Sequence, residues 1–238
     1  MSDLHRFFYP EAMTAKGVVT LESDTAKHIW QVLRMDEGDR IMLTDGKGTI
    51  ANGEIQFAER HKCNVRILDT TFEERQGNQL HLCVAFTKNN ARNEWLLEKA
   101  TELGVGSITP ISSSRFQKTH IRHDRWEKIL QSAILQSQQS YLPELTQLMP
   151  LATALNKFSS VPQKLIAHCY PDSPKHTLTE MLKGSADAVI LIGPEGDFSQ
   201  DEVDLCVSNG YAPVTLGTQR LRTETAAMSV AAYYNLIS

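Results

Sequence analysis

The sequence predicts an α/β protein in two parts, a small β-barrel over residues 1–72 and a strand–helix domain over 73–238. Three observations carry this. Short β-prone runs crowd the first part, with one helical stretch among them. Beyond it, strands alternate with helices, the pattern of a mostly parallel sheet covered on both faces. Between the two rhythms lies Thr71–Asn78, a polar stretch whose one large apolar side chain is Phe72; it reads as a linker.

The β-prone runs are Arg6–Tyr9, Gly17–Leu21, Arg40–Thr44, Thr49–Phe57 and Cys63–Thr70. Asp45-Gly46 and Asn52-Gly53 are turn dipeptides between or within them. One helix interrupts, with Ser23 or Asp24 as cap and Ile29, Val32 and Leu33 at helical spacing. So many short strands in so short a stretch predict a barrel. After the linker, Leu80–Phe86 is an apolar strand. Arg92–Leu103 reads as a helix, with a Trp95, Leu96, Lys99, Leu103 stripe and Gly104 just past its end. Ser107–Ser112 is a strand, and Asp124–Ser140 a helix that turns Trp126, Ile129, Leu130, Ala133 and Ile134 inward. Lys164–Cys169, Ala188–Ile192 and Val214–Leu216 are further strands. The capping box Ser199-Gln200-Asp201-Glu202 opens one helix, and Glu224–Leu236 is the last.

Composition narrows the function. Charged residues are 22% and hydrophobic ones 41% of the 238, ordinary usage for a folded domain. No stretch approaches the roughly 18 apolar residues of a membrane span, and MSDLHRFFYP lacks the layout of a signal peptide. The expected setting is the cytoplasm, with no membrane partner. Cys63, Cys83, Cys169 and Cys206 are far apart, without a CxxC pair, and read as free thiols, mostly buried. His120 and His123 are the only close histidines, with no evident ligand set around them, so no metal is expected. Lys and Arg total 24 against 28 Asp and Glu, a net charge of -4, which argues against a general nucleic-acid binder. The cations are not evenly spread. Arg115, Lys118, Arg122, Arg125 and Lys128 lie within one short run, with Phe116 and Trp126 among them. Such a run suits phosphate contact and base stacking; an ordinary solvated face is the competing reading.

Two strand ends draw attention, because parallel α/β sheets bind ligands outside the carboxyl ends of their strands. In Ile192-Gly193-Pro194-Glu195-Gly196-Asp197, an aliphatic strand runs into a loop where two glycines allow close backbone approach to a ligand. In Leu216-Gly217-Thr218-Gln219-Arg220-Leu221-Arg222-Thr223-Glu224, a strand ends at a glycine and two arginines precede a helix. Thr223 and Glu224 suit a helix start, but Arg220 and Arg222 do not, since the dipole there disfavours cations. An anionic partner would account for them. Neither loop is a GxGxxG or P-loop fingerprint, and no GxSxG elbow occurs.

These residues together resemble a known family. IGPEG at Ile192–Gly196 and LGTQRLRTETA at Leu216–Ala226 are similar to motifs of the RsmE-type 16S rRNA uridine N3-methyltransferases of the SPOUT superfamily. EWLLEKATELGV at Glu94–Val105, HRFFY at His5–Tyr9, and HIWQVLR at His28–Arg34 with Gly38-Asp39 extend the resemblance over nearly the whole chain. It implies a PUA-like barrel, then an α/β domain with a C-terminal trefoil knot. It implies a homodimer that uses S-adenosylmethionine, with 16S rRNA of the small ribosomal subunit as substrate. It places the cofactor against His168, Leu191, Ile192, Gly193, Pro194, Glu195, Gly196, Leu216, Gly217, Arg220 and Leu221. Arg222 is then expected to stabilise the uracil anion or fix a phosphate, and Glu224 to serve as candidate base. Arg6, Arg34, Arg115, Lys118, Arg122 and Arg125 are the expected RNA contacts.

The chain departs from the family pattern at Asp197, where GPEGG is usual. It also carries Leu135 and Gln139 in place of the Glu and Arg of EQSxR, and Phe116 in place of a serine. Two other functions fit the same residues, a non-enzymatic rRNA-binding assembly factor and a SPOUT enzyme acting on tRNA.

Overall fold

The computed structural model describes residues 4–114, 121–170 and 174–238. It divides the chain into two compact units, Met1–Arg75 with Ile134–Leu142, and Gln76–Ala133 with Pro143–Ser238.

In the first unit, strands β1 (Arg6–Phe8), β2 (Val18–Glu22), β3 (Arg40–Thr44), β4 (Thr49–Ala58) and β5 (Lys62–Phe72) form one sheet, in the order β1-β3-β4-β5-β2. All neighbours are antiparallel except β1 and β3. Alternating residues of β2, β3 and β5 (Val19, Leu21, Ile41, Leu43, Cys63, Val65, Ile67) fill a core with Phe7, Ile29 and Ile55. Among the described residues β1 and β2 stand at the two edges of this five-stranded sheet.

The expected single helix is two pieces. Helix α1 (Ser23–Lys27) passes into a π-helical turn, His28–Leu33. The wider turn moves Val32 off the buried face that helical spacing assigned to it. Ile29 is fully buried, whereas Val32 is 62% exposed. The first two residues of the expected linker extend β5, and the loop begins after Phe72.

The second unit holds a parallel sheet of β6 (Leu80–Val84), β7 (Ser107–Ser112), β8 (Glu144–Leu145), β10 (Gln163–Ala167), β11 (His176–Thr177), β12 (Ala188–Ile192) and β13 (Ala212–Thr215). The order is β11-β13-β10-β12-β6-β7-β8, with β9 (Met149–Pro150) beside β7. Every residue of β12 is buried, as a central parallel strand covered on both faces requires. Helices α2 (Asn90–Glu102), α3 (His123–Gln136), α4 (Leu151–Lys157), α5 (Leu178–Met181), α6 (Gln200–Ser208) and α7 (Thr223–Ile237) complete the chain. The short elements β8, β9, β11, α4 and α5 carry too little periodicity to be read from sequence.

Helix α2 ends as expected, with Gly104 at φ 73 taking the left-handed position beyond the last turn. Its buried face is Asn93, Leu96, Leu97, Ala100 and Thr101; Trp95, expected inside, is 46% exposed. Helix α3 buries Trp126, which packs on Phe86 with ring centroids 4.6 Å apart. It stops at Gln136, short of Ser140, as Gln138 adopts φ 58. Cys63, Cys83 and Cys206 are buried and free. Burial pushes the Cys63 thiol up to about 11 and the Cys206 thiol up to about 12, so both stay protonated and act as packing groups. Cys169 is free and exposed. No described helix is long and apolar enough to cross a membrane.

Candidate active site

Strands β10, β12 and β13 lie side by side and end at the same edge of the sheet. The loops that leave them enclose a cavity of about 780 Å³. Its wall includes Ala167, His168 and Cys169 after β10, and Ile192, Gly193, Pro194, Glu195 and Asp197 after β12. Leu216 to Thr223 follow from β13, and Arg92, Lys175 and Ala226 complete it. Both sequence motifs therefore meet at one carboxyl edge.

Each loop is fixed by its own residues. Gly217 takes φ 129, a conformation open to glycine, and nothing lies within 4 Å of where a Cβ would stand. The chain can turn there while leaving the cavity clear. Gly193 packs against Phe198, whose ring would stand 3.1 Å from an added Cβ. The Ser199 box forms as expected: Ser199 Oγ accepts from the Glu202 amide at 3.2 Å, and the Glu202 carboxylate accepts from the Ser199 amide at 2.8 Å. Asp197, the departure from GPEGG, adopts φ 65, which aspartate tolerates better than most residues. Its carboxylate accepts from the Cys169 amide at 2.7 Å and from its neighbour, the Phe198 amide, at 2.9 Å. A glycine there could not make this link between the β10 and β12 loops.

Thr223 is not the helix cap that its sequence context suggests. Arg222 is the N-cap of α7, with no side-chain cap bond. Thr223 Oγ1 instead donates to the Gly193 carbonyl at 2.9 Å, tying the start of α7 to the loop after β12.

His168 is buried, and its Nδ1 accepts from the Tyr170 amide at 3.3 Å. In the neutral ring Nε2 therefore carries the proton. Nε2 is buried and has no partner among the described residues, which leaves a donor available to a ligand. Burial, then the Lys175 cation, pull the His168 pKa below its ordinary 6.5, against a smaller opposing effect of Asp197. The folded protein thus holds His168 neutral. The unfolded chain takes up its proton first, so this contribution to stability is full above about 6.5 and is lost as pH falls through the folded value. Thermal stability should decline on acidification below that point, and His168→Gln should flatten the decline in melting curves. An unchanged slope would contradict the assignment.

Arg92 was not singled out from sequence. It sits in the first turn of α2, with Nη1 3.2 Å from Glu195 Oε1 and Nε 3.6 Å from Glu224 Oε1. The signal was present, since it is a cation at a helix start after a strand's carboxyl end, as Arg220 and Arg222 are. Glu224 is not on the cavity wall. Its side chain is 12% exposed, and Oε2 is buried without a partner among the described residues. Leu191 also lies off the wall, in the core beneath it, and Gly196 is outside the lining.

The expected RNA contacts scatter. Arg34 is exposed and ends the π-helical turn at φ 55. Arg122 is exposed. Arg125 is held by both oxygens of Glu94, at 2.6 and 2.7 Å. Arg6 is partly buried and already engaged: Nη1 donates to the Gln138 carbonyl at 2.6 Å, and burial lowers its pKa. Arg115, Lys118 and Phe116 lie outside the described residues, as does His120. Asp124 and Glu127 do come within ligand reach of His123, a grouping not apparent in the sequence. All three stand in the first turns of α3, where the dipole opposes a cation, and His123 Nδ1 already faces Glu127 at 3.3 Å.

A parallel α/β unit with a cavity at one carboxyl edge, in a chain that also holds a small β unit, is an architecture suited to a ligand-binding enzyme. The chain belongs to the RNA methyltransferase family: the RNA methyltransferase domain model matches residues 74–235, and the RNA methyltransferase PUA domain model matches 21–68. Within it, the chain is similar to the ribosomal RNA small subunit methyltransferase E of Bacillus subtilis, 27% identical over 88% of this chain and 86% of that protein. Among solved structures, a probable rRNA-methyltransferase from Porphyromonas gingivalis superposes with a TM-score of 0.89 at 33% identity, covering 98% of both chains. The ribosomal RNA small subunit methyltransferase E of Neisseria gonorrhoeae, solved with S-adenosyl methionine, superposes with 0.87 at 29% identity, covering 98% of this chain and 97% of that one.

Proposed function

We propose that this protein transfers a methyl group from S-adenosylmethionine to N3 of a uridine in 16S rRNA of the small ribosomal subunit. The observation that carries the reading is the cavity formed where the loops after β10, β12 and β13 meet, with Arg220 and Arg222 on its wall. Its residues suit the cofactor: the glycine loops expose backbone groups, Leu216 and Leu221 add apolar surface, and His168 Nε2 offers an unused buried donor. When bound, S-adenosylmethionine supplies a methyl group already activated as a sulfonium. The protein's own tasks are then positioning, and handling the uracil N3 proton. Arg222 stabilises the charge that builds on the uracil as that proton leaves. Glu224, two residues on, stands behind the cavity wall with a buried Oε2 that has no partner among the described residues, and it is the candidate proton acceptor.

The reading includes a PUA-like RNA-binding domain over residues 1–72 and a SPOUT domain over 73–238, a trefoil knot, a homodimer and a cytoplasmic setting. The bond from Thr223 to Gly193 ties the start of α7 to the β12 loop, the two segments that the knot reading brings together. Of the expected RNA contacts, Arg34 and Arg122 are exposed, whereas Arg6 and Arg125 are engaged with partners in the protein. The test is methyl uptake from labelled S-adenosylmethionine by purified small subunits and by tRNA. Label in N3-methyluridine of 16S rRNA is expected. Label in tRNA alone would overturn the substrate, and binding without transfer would favour an assembly factor.

A further inference from the structure

We infer that Arg92 is a positioning residue of this site, setting Glu224 in place for the reaction; this rests on the methyl-transfer reading above. The two carboxylates it holds come from separate loops. Glu195 lies on the turn after β12, and Glu224 in the first turn of α7. Different nitrogens of one guanidinium reach them, Nη1 to Glu195 at 3.2 Å and Nε to Glu224 at 3.6 Å. A planar fork gives the two partners separate nitrogens in a fixed geometry, whereas a lysine ammonium has a single nitrogen to share between them.

The two ends of the clamp differ. Glu195 is 59% exposed, so its pairing with Arg92 is a weak surface contact. Glu224 is 12% exposed, and a carboxylate so little exposed depends on its partner for its place. Among the described residues, no other cation on the packed elements is paired with it. On α2, Lys99 pairs with Glu98 and Glu102, and Glu94 pairs with Arg125. On β6, the His81 ring bonds to Ser107 and Cys83 is a buried thiol, while β12 carries no charged side chain. The dipole at the α7 N-terminus adds to the preference for a carboxylate there. With Oε1 facing Arg92, Oε2 has no partner among the described residues. Arg92 thereby decides which Glu224 oxygen is turned away from the clamp.

The test is single-turnover methyl transfer to small subunits at saturating S-adenosylmethionine, with cofactor affinity measured separately by calorimetry. Arg92→Ala should slow transfer by about 30- to 100-fold through misplacement of Glu224. Arg92 also lines the cavity, so the loss of rate should persist at saturating cofactor whatever the change in Kd, and Arg92→Lys should recover part of the rate, since it keeps the charge and loses the fork. In a Glu224→Gln background, Arg92→Ala should cost nothing further, as expected of residues acting as a unit. Independent, additive losses would overturn the inference, as would a wild-type rate in Arg92→Ala or a loss confined to cofactor affinity. A wild-type rate in Glu224→Gln would instead remove Glu224 from the reaction, and the inference would fall with it. Absence of transfer by the unmodified protein to any RNA would count against the functional reading itself.

Discussion

Replacing Arg222 with alanine should lower methyl transfer by about 10²–10³-fold, the usual cost of removing one charge-stabilising donor from a reaction site. The fold should survive. Arg222 lies on the cavity wall and is exposed, and its guanidinium has no hydrogen bond or ion pair among the described residues. Its structural duty as N-cap of α7 is a backbone one, since its carbonyl accepts from the Ala226 amide at 2.8 Å. Alanine keeps that carbonyl. Unchanged circular dichroism and melting, with transfer lost, would fit; full activity on small subunits would remove Arg222 from the mechanism. Arg222→Lys separates charge from shape. A large loss there too would point to the planar fork of the guanidinium.

Thr223→Val should damage the site through its scaffold. Valine nearly matches threonine in shape but cannot donate. The Gly193 carbonyl would lose the hydroxyl at 2.9 Å that links the β12 loop to α7, and an unsatisfied buried acceptor costs about 1–3 kcal/mol. Both loops line the cavity, so S-adenosylmethionine affinity should fall by about tenfold or more, an energy of about 1.4 kcal/mol. Thr223→Ser should restore both stability and affinity. Wild-type affinity in Thr223→Val would mean that the bond holds the fold without shaping the cavity.

These two positions show what a sequence can and cannot convey. Strand ends were legible, because Ala188–Ile192 is apolar throughout and glycine follows it at once. Arg220 and Arg222 stood out by breaking a local rule for helix starts, and both reach the cavity. Thr223 and Glu224 obeyed local rules, so their long-range bonds to Gly193 and Arg92 left no trace. Arg92 broke the same rule as Arg222, but a helix rich in charge masked it. Arg6 reads as a surface cation beside aromatic residues, yet it spends its donors on carbonyls 132 and 133 residues away. The π-helical turn at His28–Leu33 defeats helical periodicity by design, since its wider turn changes which residues share a face. Local sequence thus located the strand ends and loops, and distant partners decided which side chains serve the site.

The claim at the centre of this account is the identity of the modified atom. The direct measurement is mass mapping of 16S rRNA from cells that carry the gene and from cells that lack it. One N3-methyluridine should disappear with the gene and return with the wild-type protein, but not with Arg222→Ala. A methylation pattern in 16S rRNA that is identical in both strains would contradict it.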